Sequence, residues 1–229
     1  MGYDLFPMIG KEKILLLMML MGGLACAAGL SRNMPVSEAV FVAFDTETTG
    51  FSREKDRLVE IGAVKFRGDG TVLASTNWLV NPQRDIPFYA TEVHGITSEM
   101  TAGAPLFADV WPSFMDFCGD GVLMAHNANF DVGFLRAELE RAEIKPPALP
   151  VVDTLPLFRK WFPRAESHSL GKLTEELGVS GKTYHRAEAD AFHIVNVFKV
   201  GMKKRKGINL RRFQHDAGGY LWLDGRTRR

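Results

Sequence analysis

The chain has 229 residues, 46% of them hydrophobic, and a formal net charge of +1. That apolar content suffices to bury a large core and excludes a chain disordered throughout, and the near-neutral balance excludes a uniformly basic coat for nucleic acid. The two cysteines, Cys26 and Cys118, have no Cys or His neighbours at zinc-ligand spacing, which argues against a disulfide scaffold and against a structural zinc site.

In chain order, the first distinctive segment is the uncharged run from Ile14 to Leu30, preceded by Lys11 and Lys13. Its length sits at the lower edge of a membrane span. Its small-residue stretch Ala25-Cys26-Ala27 also suits a signal peptide, and a third reading makes Met34 the start, with what precedes it an upstream extension. These readings stay open, and with them a membrane contact through residues 14–30. After Met34 the pattern becomes that of an α/β domain. Ala39 to Phe44, Arg57 to Phe66 and Val72 to Val80 read as three strands, the last two joined by a Gly68-Asp69-Gly70 turn, which predicts an antiparallel meander.

Leu106, Val110, Phe114 and Phe117 recur at helical spacing before Gly119. Val122 to Ala125 is a short strand, Phe130 to Leu139 a helix ended by Pro146-Pro147, and Val151-Val152 a last strand. Helical segments follow at Leu170 to Leu177 and from Ala187 to about Lys203. The order predicts a mixed five-stranded sheet with helices on both faces. Three segments are expected: a hydrophobic 1–34, a folded domain over 35–201 and a basic tail over 202–229. The tail carries nine basic residues against two acids, a local charge of +7, and reads as a solvated end.

Chemistry concentrates where the first strand ends, in Asp45-Thr46-Glu47-Thr48-Thr49-Gly50. Two residues apart on a strand, Asp45 and Glu47 point to the same side. Two anions held together in an apolar setting repel, and one takes up a proton unless a cation is present. Oxygen ligands without a Cys or His cluster favour magnesium or manganese over zinc. Alone, the triplet is equally a turn cap. Two further acids stand at element ends: Asp131 in Asn127-Ala128-Asn129-Phe130-Asp131, and Asp190 five residues after His185 at the entry of the last long helix. Each separately is an ordinary first-turn acid.

Together these segments resemble the DEDDh family of 3′–5′ exonucleases, to which the proofreading epsilon subunit of bacterial DNA polymerase III belongs. Asp45 to Gly50 resembles the first family motif, Asn127 to Asp131 the second, and His185 with Asp190 the third; the likeness runs from about Val40 to Phe198. The resemblance implies a ribonuclease H-like fold, two Mg²⁺ or Mn²⁺ ions on Asp45, Glu47, Asp131 and Asp190, and His185 as the base. An unperturbed pKa of about 6.5 suits histidine to that task.

By similarity backbone groups near Thr48 and Thr49 and the side chains of His94 and Ile96 surround the terminal nucleotide, with Ile96 as an apolar wedge against the last base, and Asn127 is a positioning residue rather than a metal ligand. The implied partner is a single-stranded or frayed DNA 3′ end, with RNA as the alternative because RNA-directed members carry the same carboxylates. The tail is a second candidate for nucleic-acid backbone. A binding module without chemistry would not need every motif acid. A polymerase association lacks a visible clamp motif, Gln214 being followed by His215-Asp216-Ala217. The implied location is cytoplasmic, with residues 14–30 as a candidate tether. The tryptophans Trp78, Trp111 and Trp161 sit in apolar patterns and read as core.

Overall fold

The computed structural model describes residues 31–179 and 185–226. Strand β1 (Val40–Thr48) is nearly continuously buried, and its neighbours are β2 (Leu58–Arg67), antiparallel, and β4 (Val122–Ala125), parallel. β3 (Val72–Leu79) completes the meander on β2 and β5 (Pro150–Asp153) runs parallel to β4. A short β6 (Leu221–Trp222) pairs antiparallel with β5, giving the order β3-β2-β1-β4-β5-β6. The sheet therefore has six strands, one more than the apolar pattern predicts, because two residues of β6 are too few to show an alternation.

Alternate residues of β1 feed two cores. Val42 and Phe44 face α3 (Phe107–Cys118) and α4 (Asn129–Arg141), where Trp111, Phe114, Phe134 and Leu135 are buried. Trp78 packs its edge on Phe114 and Phe117, as the apolar reading predicts. Phe41 and Ala43 face α5 (Thr154–Trp161), α6 (Leu170–Glu176) and α7 (Ala187–Lys203). There the Phe41 ring meets Phe66, Phe198 and Phe213 at 5.6, 5.4 and 5.4 Å. The even residues thus point to one helical layer and the odd ones to the other. Asp45 and Glu47 continue the odd side, towards α7.

Two short helices, α1 (Phe88–His94) and α2 (Ser98–Ala102), cover the end of the sheet where β1 stops. Neither is visible as an apolar period. α5 is also unpredicted: Asp153 caps it by accepting from the Leu155 N–H at 2.9 Å, and Pro156 is tolerated because it lies in the first turn.

Within the described residues, the segment 203–226 is not a solvated end. It contains α8 (Leu210–Asp216) and β6, and buries Leu210, Phe213, Ala217 and Leu223. Full burial of a Leu or Phe side chain stabilises by about 1.5–3 kcal/mol. Buried Asp216 fastens α8 to α5, taking Lys160 Nζ at 2.9 Å and Arg212 Nε at 3.0 Å. Several of the nine basic residues thus serve the fold: Arg205 lies over the Trp161 ring at 4.7 Å and donates to the Trp161 carbonyl at 3.1 Å. The segment 1–30, including the run from Ile14 to Leu30, lies outside the described residues.

Candidate active site

The carboxylates converge where β1 leaves the sheet. Oxygens of Asp45, Glu47 and Asp190 lie within 4.8 Å of one another. Asp190 reaches them because the first turn of α7 lies directly on β2 at Gly62, the register partner of Asp45. A Cβ at Gly62 would stand 2.0 Å from the Glu188 backbone nitrogen, so any other residue would push α7 off the sheet.

Asp131 enters from the opposite layer, on α4, and is 3% exposed. Its Oδ1 accepts from the Thr46 hydroxyl at 2.8 Å. The even-numbered residue between the two acids of β1 therefore orients the fourth carboxylate. Asn127 precedes α4 at φ 57°, and its carbonyl accepts the Phe130 N–H at 3.0 Å. Its side chain is exposed, and its backbone turns β4 into α4.

Electrostatics follow from this crowding. Burial, then the charges of Asp131, Asp190 and Glu47, raise the Asp45 carboxyl well above its usual range. Burial, then Asp190, Glu60 and Asp131, push Glu47 up to about 8, with Arg186 pulling weakly the other way. Asp131 is pushed up to about 7 by burial, against the lowering effect of the Thr46 hydrogen bond. Burial and mutual repulsion thus favour the protonated forms of these carboxyls, and a cation among them would oppose that. An all-oxygen set of this kind fits hard divalent cations.

The surroundings supply positioning groups that the motifs do not reveal. Glu60, fully buried and opposite Glu47 in the β1–β2 register, accepts from Arg186 Nη2 at 2.5 Å, Arg186 Nε at 3.1 Å, the Ala187 N–H at 3.0 Å and Asn77 Nδ2 at 2.8 Å. Burial would raise its pKa, but these donors outweigh burial and hold it below the usual value. Glu60 therefore clamps the residue after His185 and the start of α7 to β2. Asp190 is held in turn: Oδ1 lies 3.1 Å from buried His193 Nδ1, and Oδ2 accepts the His185 N–H at 3.0 Å. His185 is exposed, at φ 58°.

The residues expected around the terminal nucleotide pack beneath the loop after β1. Ile96 is fully buried against Val59, Ile86 and Ala90, so it is not an exposed wedge. His94 is 4% exposed and has both ring nitrogens engaged. Nδ1 accepts the Ile96 N–H at 3.0 Å, leaving Nε2 to donate to the Thr48 carbonyl at 3.3 Å, and burial lowers its pKa. The Thr48 hydroxyl donates to the Gly50 carbonyl at 2.6 Å and that of Thr49 to Asp56 at 3.1 Å. These four residues brace the loop after β1 from within.

The surface they brace is aromatic. Phe51 is 85% exposed with its ring 6.5 Å from Phe130, the neighbour of Asp131, and Phe88 and Tyr89 of α1 are 76% and 54% exposed. The Tyr89 hydroxyl donates to the Thr49 carbonyl at 3.2 Å, tying α1 to the same loop. In the sequence, only the position of Phe51 next to the first motif hinted at this rim.

Residues 42–198 match the RNase_T exonuclease family, and the chain belongs to it. The chain is similar to the PolC-type DNA polymerase III of Clostridium perfringens, at 42% identity over 166 residues, covering 72% of this chain and 11% of that protein. The PolC-type enzyme of Latilactobacillus sakei is 42% identical over 160 residues, covering 70% and 11%. The chain thus spans about a tenth of the length of these curated relatives. Among solved structures it resembles exonuclease X in complex with 5′-overhanging duplex DNA, at 26% identity and TM-score 0.61, over 78% of this chain and 99% of that one. The nuclease domain of 3′hExo, a DEDDh family member, shares the fold at 15% identity and TM-score 0.64, over 75% and 95%. The DEDDh resemblance read from the motifs and the ribonuclease H-like fold it implied both hold.

Proposed function

We propose that the protein is a metal-dependent 3′–5′ exonuclease that releases nucleoside monophosphates from DNA 3′ ends, in proofreading or repair. The observation that carries this reading is the cluster of Asp45, Glu47 and Asp190 at the end of β1, with Asp131 brought to it by Thr46. These four residues would hold two Mg²⁺ or Mn²⁺ ions. When bound, the ions would lower the pKa of the attacking water and offset charge on the attacking and leaving oxygens.

The chain's own residues do the rest. His185, exposed beside the cluster and fixed by its backbone bond to Asp190, takes a proton on its ring. Glu60 and Arg186 keep His185 and α7 in register with β2. Phe51, Phe88 and Tyr89 offer the faces on which terminal bases stack. DNA is favoured over RNA by the PolC-type relatives and by the DNA-bound exonuclease X. The polymerase names of those relatives also support association with a replicase. The cytoplasm, with residues 14–30 as a tether, is the location consistent with such a role; among the described residues no helix is long and apolar enough to cross a membrane.

The test is release of mononucleotides from a 3′-labelled single strand of DNA and its RNA counterpart, with Mg²⁺, Mn²⁺ or EDTA. Metal-dependent release from DNA is expected. Intact substrate under every condition sinks the nuclease reading, and faster release from RNA transfers it to an exoribonuclease.

A further inference from the structure

Part of the charge read in the sequence as a tail, from Lys203 to Arg212, gathers where the chain enters the fold. The chain enters the described fold at Ser31, immediately after the uncharged run from Ile14 to Leu30. Residues 32–36 are pinned alongside residues 208–211: the Arg211 N–H donates to the Arg32 carbonyl at 2.9 Å, the Leu210 N–H to the Met34 carbonyl at 3.0 Å, and the Val36 N–H to the Ile208 carbonyl at 2.9 Å, around an antiparallel bridge between Pro35 and Asn209. The point of entry is therefore fixed against the segment that joins α7 to α8.

Around it stand exposed Arg32, Lys203, Lys204, Lys206, Arg211 and Arg212. Of these, Arg212 also bonds buried Asp216. Exposed acids also stand at this end: Glu38 and Asp120, which line one cavity with Met34, and Asp69 on the β2–β3 turn. The six exposed cations outnumber these three acids, although the whole chain carries only +1.

The face and the carboxylate cluster lie at opposite ends of the same elements. β1 starts just after the pinned residues and ends at Asp45 and Glu47. α7 begins beside the cluster and finishes at Lys203, so Asp190 and Lys203 are separated by about 20 Å along the helix at 1.5 Å per residue. A strand whose 3′ end sits at the carboxylates would not need this face. A surface at the far end could be engaged while the site stays open.

We propose that this basic face docks on an anionic lipid surface, orienting the carboxylate cluster away from the membrane. Charge complementarity and position both point to lipid: clustered Lys and Arg next to an apolar segment are attracted by acidic headgroups, and one apolar signal plus a basic patch holds a protein where either alone is marginal. The inference is independent of the nuclease reading, since it uses none of the carboxylates.

The test uses the full chain and co-sedimentation with vesicles of pure phosphatidylcholine or of phosphatidylcholine with phosphatidylglycerol. Wild type should partition more strongly into the anionic vesicles, and added salt should weaken that preference. Combining Lys203→Ala, Lys204→Ala, Lys206→Ala and Arg211→Ala should lower partition into anionic vesicles by on the order of several hundred-fold, at about five-fold per charge. Thermal unfolding and hydrolysis of a short oligonucleotide should be unchanged. Replacing the three lysines by arginine keeps the charge and should retain wild-type partition. Equal partition of wild type into both vesicles overturns the proposal. So does a quadruple variant that still binds anionic vesicles as wild type does, or that loses instead its affinity for a single-stranded oligonucleotide measured by anisotropy in EDTA.

Discussion

Removing divalent metal should make the stability of this fold depend on pH in a direction opposite to that of ordinary ion-paired carboxylates. Folding raises the Glu47 pKa from 4.5 to about 8. Below about 4.5 the carboxyl is protonated whether the chain is folded or not, and no penalty arises. Between there and about 8 the unfolded chain releases the proton while the folded chain retains it, so folding stability falls as pH rises; above about 8 both states are ionised and the full cost remains. At about 1.4 kcal/mol per pKa unit, this shift alone corresponds to about 5 kcal/mol. Glu47 is only partly buried, so we discount this for solvent screening and take about 3 kcal/mol as the expected loss. For a domain of this size that lowers Tm by about 6–12 °C. The assay is thermal unfolding of EDTA-treated protein from about pH 5 to about pH 8, repeated with Mg²⁺ or Mn²⁺. The metal should restore Tm at the upper end of the range and do little at the lower end, where protons already neutralise the cluster. A metal-free Tm that is flat across the range, or a metal effect equal at both ends, would refute the account of the site as a repulsive cluster in need of cations.

Four substitutions separate the roles of individual side chains. Asp45→Asn should raise the Tm of the metal-free protein near neutral pH while lowering turnover by at least about 10²–10³-fold, read by the labelled-strand assay. His185→Ala should lower kcat by about 10²–10⁴-fold, with Mn²⁺ binding by calorimetry unchanged. Glu60→Gln should lower stability by about 1–3 kcal/mol in urea unfolding, because Arg186 loses its charged acceptor, and should depress kcat more than it raises KM. Phe51→Ala should leave Tm unchanged, its side chain being 85% exposed, and raise KM for a single strand by about five- to a hundred-fold.

Where the sequence was legible, it was so because a period in the residues matched a period in space. The unbroken apolar run from Ala39 to Phe44 locates β1, and the two-residue repeat of a strand puts Asp45 and Glu47 on one side. Ala187 to Lys203 is recovered end to end as a helix because its apolar spacing is long and uninterrupted. Short or polar elements escaped. Residues 88–94 present aromatic side chains to solvent, and the 202–226 segment buries few side chains, widely spaced among basic ones. Ile96 shows a different limit. A family motif says which residues recur together, but the fully buried packing of Ile96 on Val59 and Ala90 depends on the turn of α1, which no local pattern sets.

Glu47 and Glu60 show where residue identity stops informing. They are the same residue type, directly opposite each other across β1 and β2. One is raised to about 8 and the other lowered below its usual value. The difference is Arg186, brought back from a sequence distance of 126 residues to donate twice to Glu60, together with the Ala187 N–H and Asn77. Glu60 has its positive partner within the chain and serves as an anchor. Glu47 is left with other carboxylates, and its need for a cation is what makes it a candidate ligand. The chemical roles of the two glutamates are thus set by which of them receives the arginine, and that choice is made when α7 settles on Gly62.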